Sequence, residues 1–255
     1  MSIEKTNKLN ELLQKNKPGG LFFSAWLRDN GYSDQLVKKY RDSGWLSPLS
    51  NGVMFRAGDK PHLFAILDSY NSQLNKTFRI AAMSALELFS LNHYIPMGKP
   101  KLIICHPKEE AVPYWMKNGD FDFSLIFFST EAFSSPKIES IRADYPDMLV
   151  SLPEQAFLEC LLLAPKQYSY MDLYYVMEHL ATLRPSLVQK LLENTNNLKI
   201  KRMFLYMAEK ASHQWFKYLN PEKIELGSAK HQLVKNGIYV PKYKITVPRE
   251  LYEYE

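Results

Sequence analysis

The side chains able to do covalent or metal chemistry are few and poorly spaced for it. Cys105 and His106 could by name be a nucleophile and its base. They end a β-forming run, Lys101-Leu102-Ile103-Ile104-Cys105, and adjacent strand residues point to opposite faces. Cys105 therefore reads as a small core residue. Asp120-Phe121-Asp122 has the D-x-D spacing that can hold a divalent cation on a strand, but no third acid or upstream Gly-Ser accompanies it. The pair reads as loop aspartates, and a nucleotidyltransferase using Asp120 and Asp122 is the enzyme alternative. Gly227-Ser228-Ala229-Lys230-His231 lacks the leading glycine and the Ser/Thr after lysine that a phosphate loop needs. No Gly-x-Gly-x-x-Gly or Walker loop occurs, and His62, His93, His106, His179, His213 and His231 show no metal-ligand spacing. Trp215 and Phe216 read as core, not as a base-stacking platform. The expectation is a chain with no catalytic residue, no metal and no cofactor.

What remains is charge, and its placement carries more than its total. The 255 residues carry a net charge of +5, with 46% hydrophobic and 23% charged residues. That composition excludes a disordered or fibrous chain. Residues 1–60 hold 10 Lys and Arg against 6 acids, residues 61–195 hold 11 against 15, and residues 196–255 hold 11 against 6. Two basic ends flank an acidic middle, a pattern found in proteins that meet polyanions. Two cysteines exclude a disulfide framework and a four-cysteine zinc site. No apolar run reaches membrane-spanning length and the N-terminus has no signal-peptide core, so no membrane partner and a cytoplasmic location are expected.

The elements that must position the N-terminal cations follow from local signals. Ile3, Leu9, Leu12 and Leu13 sit near helical spacing, and Lys17-Pro18-Gly19-Gly20 stops that helix. The apolar segment Leu21 to Leu27 is ended by Asn30-Gly31. Ser33 can cap the next helix, in which Leu36, Val37 and Tyr40 share one face while Gln35, Lys38, Lys39 and Arg41 take other positions. Helix, short glycine-containing turn, helix is the helix-turn-helix pattern, whose second helix enters the major groove. Asn51-Gly52 then signals a hairpin, because both residues tolerate positive φ. Its two strands would form a wing, with Arg56 on the return strand within reach of a phosphate. A solvated polar face and a helical subdomain without DNA contact are the plainer readings.

Beyond Ala57-Gly58-Asp59-Lys60-Pro61, a loop-rich junction, the pattern is mixed. Arg79 to Ser90 suits a helix with Ile80, Met83 and Leu86 inward. Lys101 to Cys105 and Phe123 to Phe128 read as strands. From Leu152 onward helices dominate: Ser169 with Asp172 makes a cap ahead of Leu173, Val176, Met177 and Leu180, Pro185 opens another helix with Leu187, Val188, Leu191 and Leu192 buried, and Asn197 caps one burying Ile200, Met203, Phe204 and Met207. Lys199, Lys201 and Arg202 project from that last helix's start, where cations oppose the macrodipole. Gly237 to Val240 and Lys244 to Val247 are strand-like. The fold class expected is α+β: an N-terminal winged helix-turn-helix followed by a larger mixed α/β C-terminal domain with a helix-rich end. The expected domains are residues 1–58, binding DNA, and 59–255, with lobes of about 59–148 and 149–255.

Several stretches carry a resemblance. Lys17-Pro18-Gly19-Gly20, Asn30-Gly31-Tyr32-Ser33, Leu36-Val37-Lys38-Lys39-Tyr40, Ser43-Gly44-Trp45-Leu46 and Gly52-Val53 resemble the winged-helix domain of AbiEi-type antitoxins. Arg79 to Tyr94, with Ser84-Ala85-Leu86-Glu87-Leu88 and Asn92-His93-Tyr94, is similar to that family's central helix and following turn. The C-terminal part is more similar still, through Pro153-Glu154-Gln155-Ala156, Leu183-Arg184-Pro185, Leu191-Leu192-Glu193, Lys199 to Leu205, Ala208-Glu209, Trp215-Phe216, Leu226-Gly227-Ser228 and Lys242 to Pro248. Residues 96–150 are the least diagnostic. The family commonly continues Gly-Ser-Gly-Lys-Arg where this chain has Gly227-Ser228-Ala229-Lys230-His231.

The resemblance implies a regulator that is not an enzyme. It would bind double-stranded DNA at inverted repeats upstream of its own operon and repress it. Its C-terminal domain would neutralise a nucleotidyltransferase toxin in a type IV toxin–antitoxin system linked to abortive phage infection. Lys38, Lys39 and Arg41 would then contact phosphates or guanine, Ser33 and Gln35 would read base edges, and Asn51 and Arg56 would touch backbone. Lys199, Lys201, Arg202, Lys230 and Lys235 would serve antitoxin activity or a secondary anion contact. The alternative is a winged-helix regulator or a protein-interaction module without antitoxin activity.

Overall fold

A computed structural model describes the backbone of residues 3–91, 98–142 and 144–254, with side chains from Lys8 onward. Asn92-His93-Tyr94 lies outside the described residues. Helix α1 (Ile3–Gln14) buries Leu9 and Leu12. The apolar run after Gly20 is not one element. It divides into strand β1 (Leu21–Phe23) and the short helix α2 (Ser24–Asp29). Gly31, left-handed at φ +80°, closes α2, and Ser33 caps α3 (Asp34–Asp42), its Oγ accepting the Leu36 N–H at 3.3 Å. Strands β2 (Leu46–Ser50) and β3 (Val53–Arg56) form the hairpin, and the sheet order is β1-β3-β2 with Leu21 opposite Phe55 and Leu46 opposite Arg56. Of the two turn residues only Gly52 is left-handed, at φ +71°, so the turn is not the double-left-handed type expected. The register slips between Pro48 and Ser50, where the ladder absorbs the mismatch in twist.

One side of β1 is paired to β3, and the other would be left without partners. Helix α4 (Leu63–Leu74) supplies them from its side chains. The Leu21 N–H donates to Ser69 Oγ at 3.0 Å, the Phe23 N–H to Gln73 Oε1 at 3.1 Å, and Gln73 Nε2 donates to the Leu21 carbonyl at 2.7 Å. This explains why an apolar segment with helical composition begins as a strand: one edge of its backbone is satisfied by β3, and the other by Ser69 and Gln73 about 50 positions away, with Asn16 Nδ2 also donating to the Leu21 carbonyl at 2.6 Å.

The single helix expected over 79–90 is corrected to strand β4 (Arg79–Ile80) and helix α5 (Ala82–Leu88). Ala82 takes φ +50°, a conformation costly for alanine, and its N–H is held by the buried carboxylate of Glu159 at 3.0 Å. The chain then forms β5 (Lys101–His106), α6 (Tyr114–Asn118), β6 (Ser124–Ser129), β7 (Ile138–Ser140) and β8 (Leu149–Ser151), in a five-stranded sheet ordered β6-β5-β4-β8-β7. Helices α7 (Pro153–Leu163), α8 (Tyr170–His179), α9 (Pro185–Asn194) and α10 (Leu198–Lys210) follow. Ser169 caps α8, Asn197 caps α10 and Pro185 opens α9, as read from sequence. The end of the chain holds β9 (His231–Gln232), β10 (Ile238–Val240), β11 (Ile245–Val247) and α11 (Arg249–Glu253), the strands ordered β10-β11-β9.

Two compact units result. The first holds residues 1–79, 97–128 and 140–150, the second 80–96, 129–139 and 151–255. In the first, Leu9, Leu12, Phe22, Leu27, Val37, Tyr40, Leu46 and Met54 make one core beneath α3. In the second, α7 is buried over almost its whole surface, so its polar residues need partners inside. Glu159 accepts from Ser151 Oγ and Gln155 Nε2, each at 3.1 Å, and Glu154 takes the Arg184 guanidinium through two bonds of 2.9 Å.

Candidate nucleic-acid interface

Helix α3 is polarised by what it buries. Val37 and Tyr40 lie in the core and Leu36 is half-buried, so the opposite face must be Gln35, Lys38, Lys39 and Asp42 at the helical repeat. All seven residues expected at DNA are exposed: Ser33, Gln35, Lys38, Lys39, Arg41, Asn51 and Arg56. Among the described residues no ion pair engages Lys38, Lys39, Arg41 or Arg56. The acid at the helix start, Asp34, is paired with Arg28 across the turn at 3.4 Å. Lys39 and Arg41 stand in the last turn, where cations also favour the helix dipole, whereas Lys38 has no such local reason. Tyr32 and Tyr40 add no charge, since burial pushes both phenols above their ordinary value.

The hairpin places its two candidates apart. Asn51 is at the tip, while Arg56 is opposite Leu46 at the base. The length of β3 separates them by roughly 13–16 Å, so they cannot meet the same phosphate. Ser33 spends its oxygen on the cap of α3 and keeps only its O–H to donate outward. Trp45, 45% exposed just beyond α3, is an apolar surface residue that the sequence reading quoted without assigning it a role. Its position after Ser43-Gly44, past the end of a cationic helix, is the signal that could have marked it.

The C-terminal cations are placed differently from expectation. Lys201 and Arg202 are buried, and Lys199 is half-buried. The reading of the three as projecting outward is corrected. Lys199 Nζ donates to the carbonyls of Leu162 at 3.2 Å and Ala164 at 2.8 Å, closing the C-terminal end of α7. Arg202 donates from Nε and Nη2 to the Leu226 carbonyl and from Nη1 to the Lys244 carbonyl at 2.8 Å. Burial pushes the Lys199 and Lys201 ammonium groups below their ordinary value. Lys230 and Lys235 are exposed, Lys230 lying 5.0 Å over the Tyr239 ring.

The residues with potentially catalytic side chains are not brought together. Asp120 pairs with Lys99 at 3.6 Å and Asp122 with Lys60 at 3.4 Å. Cys105 is buried, and His106 stacks on Phe78 with its Nδ1 2.8 Å from the Pro107 carbonyl. Trp215 is core, its indole N–H donating to the Leu180 carbonyl at 2.8 Å. Among the described residues no cluster of three or more His, Cys, Asp or Glu could hold a metal. No helix there is long and apolar enough to cross a membrane.

Comparison with known proteins assigns the class. Residues 5–97 match the family described as "Transcriptional regulator, AbiEi antitoxin N-terminal domain", and residues 99–248 match "Transcriptional regulator, AbiEi antitoxin, Type IV TA system". The chain is thus a transcriptional regulator by class, which is not a class of enzyme. Within that class it belongs to the AbiEi antitoxin family of type IV toxin–antitoxin systems. It is also similar to the crystal structure of the RV2827C protein from Mycobacterium tuberculosis, with a TM-score of 0.62 and 12% identity over 97% of this chain and 92% of that one, a likeness of fold alone. No curated protein matches the chain.

Proposed function

We propose that this chain is a cytoplasmic autorepressor and antitoxin without catalytic activity. Residues 1–58 bind double-stranded DNA at inverted repeats upstream of its own operon, and residues 59–255 neutralise a cognate nucleotidyltransferase toxin. The observation that carries the DNA reading is α3 itself: apolar and buried on one side, with Gln35, Lys38 and Lys39 exposed on the other. Lys38, Lys39 and Arg41 neutralise phosphates or read guanine, Gln35 and the Ser33 hydroxyl read base edges, and Asn51 and Arg56 grip the backbone at two separate points. Lys230 and Lys235 are the accessible C-terminal cations for an anion or antitoxin contact. Arg202 supports that surface from inside through the Leu226 and Lys244 carbonyls, while Lys199 is spent on the end of α7 and Lys201 is buried.

A mobility-shift titration of the chain's own upstream DNA at two or more salt concentrations tests the reading. Lys38→Ala is expected to weaken binding and reduce the slope of log affinity against log salt by about one. Unchanged affinity and slope would remove α3 from the interface. Co-expression with a neighbouring nucleotidyltransferase gene tests the antitoxin half: growth restored by the full chain, and still by its Lys38→Ala variant, supports it, and growth restored by neither leaves a regulator without antitoxin activity.

A further inference from the structure

Helix α8 buries Leu173, Tyr174, Val176 and Met177 and leaves Asp172, Tyr175, Glu178 and His179 exposed. The helical repeat sets these four on one face, Asp172 a turn before Tyr175 and the other two a turn after it. The segment just past α11 adds a second aromatic there. The Tyr254 ring is 5.6 Å from Tyr174 at 74° and 5.5 Å from Tyr175 at 80°. Two edge-on tyrosine pairs thus share one ring, and they are not equivalent. Lys210, in the last turn of α10, has its ammonium 5.8 Å over the Tyr174 ring while donating to the carbonyls of Tyr252 and Tyr254. It is thereby spent, and it fixes the backbone that carries Tyr254. The Tyr175 ring, 44% exposed, has no cation over it among the described residues. Glu178 has no ion pair among them either, yet it lies near enough to hold the Tyr254 phenol above its ordinary value. Arg249 of α11 is taken by Glu253 at 3.0 Å.

We propose that Tyr175, Tyr254 and Glu178 form a seat for an arginine side chain of a partner protein. A guanidinium stacks on a tyrosine face and offers paired N–H donors to a carboxylate, so one side chain uses both features. The shared ring already has a cation beside it on its Tyr174 side, through Lys210. The seat repeats that chemistry on the Tyr175 side and adds a carboxylate. Charge selects the occupant. Asp172 and Glu178 flank Tyr175, so the phosphates of a nucleic acid are repelled from this face. The same face of a second copy would set acid against acid. The seat shares no residue with α3 or the hairpin, and the proposal does not depend on DNA binding.

The probe is an eight-residue peptide of glycine and serine carrying two arginines, titrated into the isotope-labelled full chain and read by NMR. The backbone amides of Tyr175, Glu178 and Tyr254 are expected to shift saturably, with a dissociation constant of about 1 mM or tighter. Citrulline in place of arginine keeps the shape without the charge and should weaken binding about tenfold or more, and lysine several-fold. Tyr175→Ala, an exposed substitution, should weaken the probe about fivefold or more. Glu178→Gln should weaken it several-fold with a shallower salt dependence, circular dichroism confirming the fold of each variant. His179→Gln, on the same face, should leave binding within about twofold, and a larger loss there than in Tyr175→Ala overturns the assignment. No saturable shift, equal binding of the citrulline peptide, or shifts indifferent to both Tyr175→Ala and Glu178→Gln also overturns it. Shifts of the same amides with chain concentration alone, and none on adding the probe, would give the face to a second copy and overturn the proposed occupant.

Discussion

Lys199 shows how a side chain's cost in its own helix can be repaid in another. A cation in the first turn of α10 opposes that helix's dipole, yet its ammonium closes the carbonyls left open at the end of α7. The sequence exposes the misplacement but not the beneficiary, which begins 46 positions earlier, so a row of cations looked like a surface feature. Arg202 was opaque for the same reason: both carbonyls it binds come from residues more than 20 positions away. Lys199→Met keeps the length of the chain but orphans two carbonyls, and should cost about 1–3 kcal/mol in denaturant unfolding. Its DNA affinity should match that of the parent. Equal stability would show that water satisfies the α7 terminus unaided.

At the scale of elements, what was legible is what is encoded nearby. Ser33, Ser169 and Asn197 cap helices because a short polar side chain reaches a backbone N–H three residues on, and each bond is present. The α3 face was legible from its 3.6-residue repeat, and with it the placing of Gln35, Lys38 and Lys39. What was hidden depends on distant partners: β1 is a strand because α4 and β3 satisfy its two edges, and Arg79 to Ser90 is broken because Glu159 holds Ala82. Ser33→Ala should cost about 1 kcal/mol of stability by leaving the Leu36 N–H without its acceptor. It should weaken operator binding less than Lys38→Ala and leave the salt slope unchanged, since no phosphate contact is removed. A changed slope would mean that Ser33 acts on the duplex through charge placement and not through the cap.

At the scale of the molecule, acid sensitivity should centre on the Glu154–Arg184 pair of the second unit. Burial raises the Glu154 carboxyl, but the hydrogen bonds from Arg184 outweigh it and hold the group below its ordinary value of 4.5. A lowered folded-state value means that the unfolded chain binds the proton more readily. The pair's contribution is therefore complete above about pH 4.5 and lost as pH falls through the lower folded value. Arg184→Ala, by leaving a buried carboxylate unpaired, should destabilise strongly at pH 7 and much less near pH 3. A pH-independent loss in equilibrium unfolding would show that packing, not charge, is what Arg184 supplies.

The Arg202 guanidinium holds the carbonyls of Leu226 and Lys244 at once, and Lys244 Nζ reaches back 2.9 Å to the Gly227 carbonyl. The stretch that bears Lys230 and Lys235 is thereby tethered at both roots. A single protease cut between residues 228 and 236 should yield two fragments that still migrate together through a sizing column and part only in denaturant. Between β9 and β10 the chain is thus free to change in composition and length while the strands on either side keep their pairing with β11.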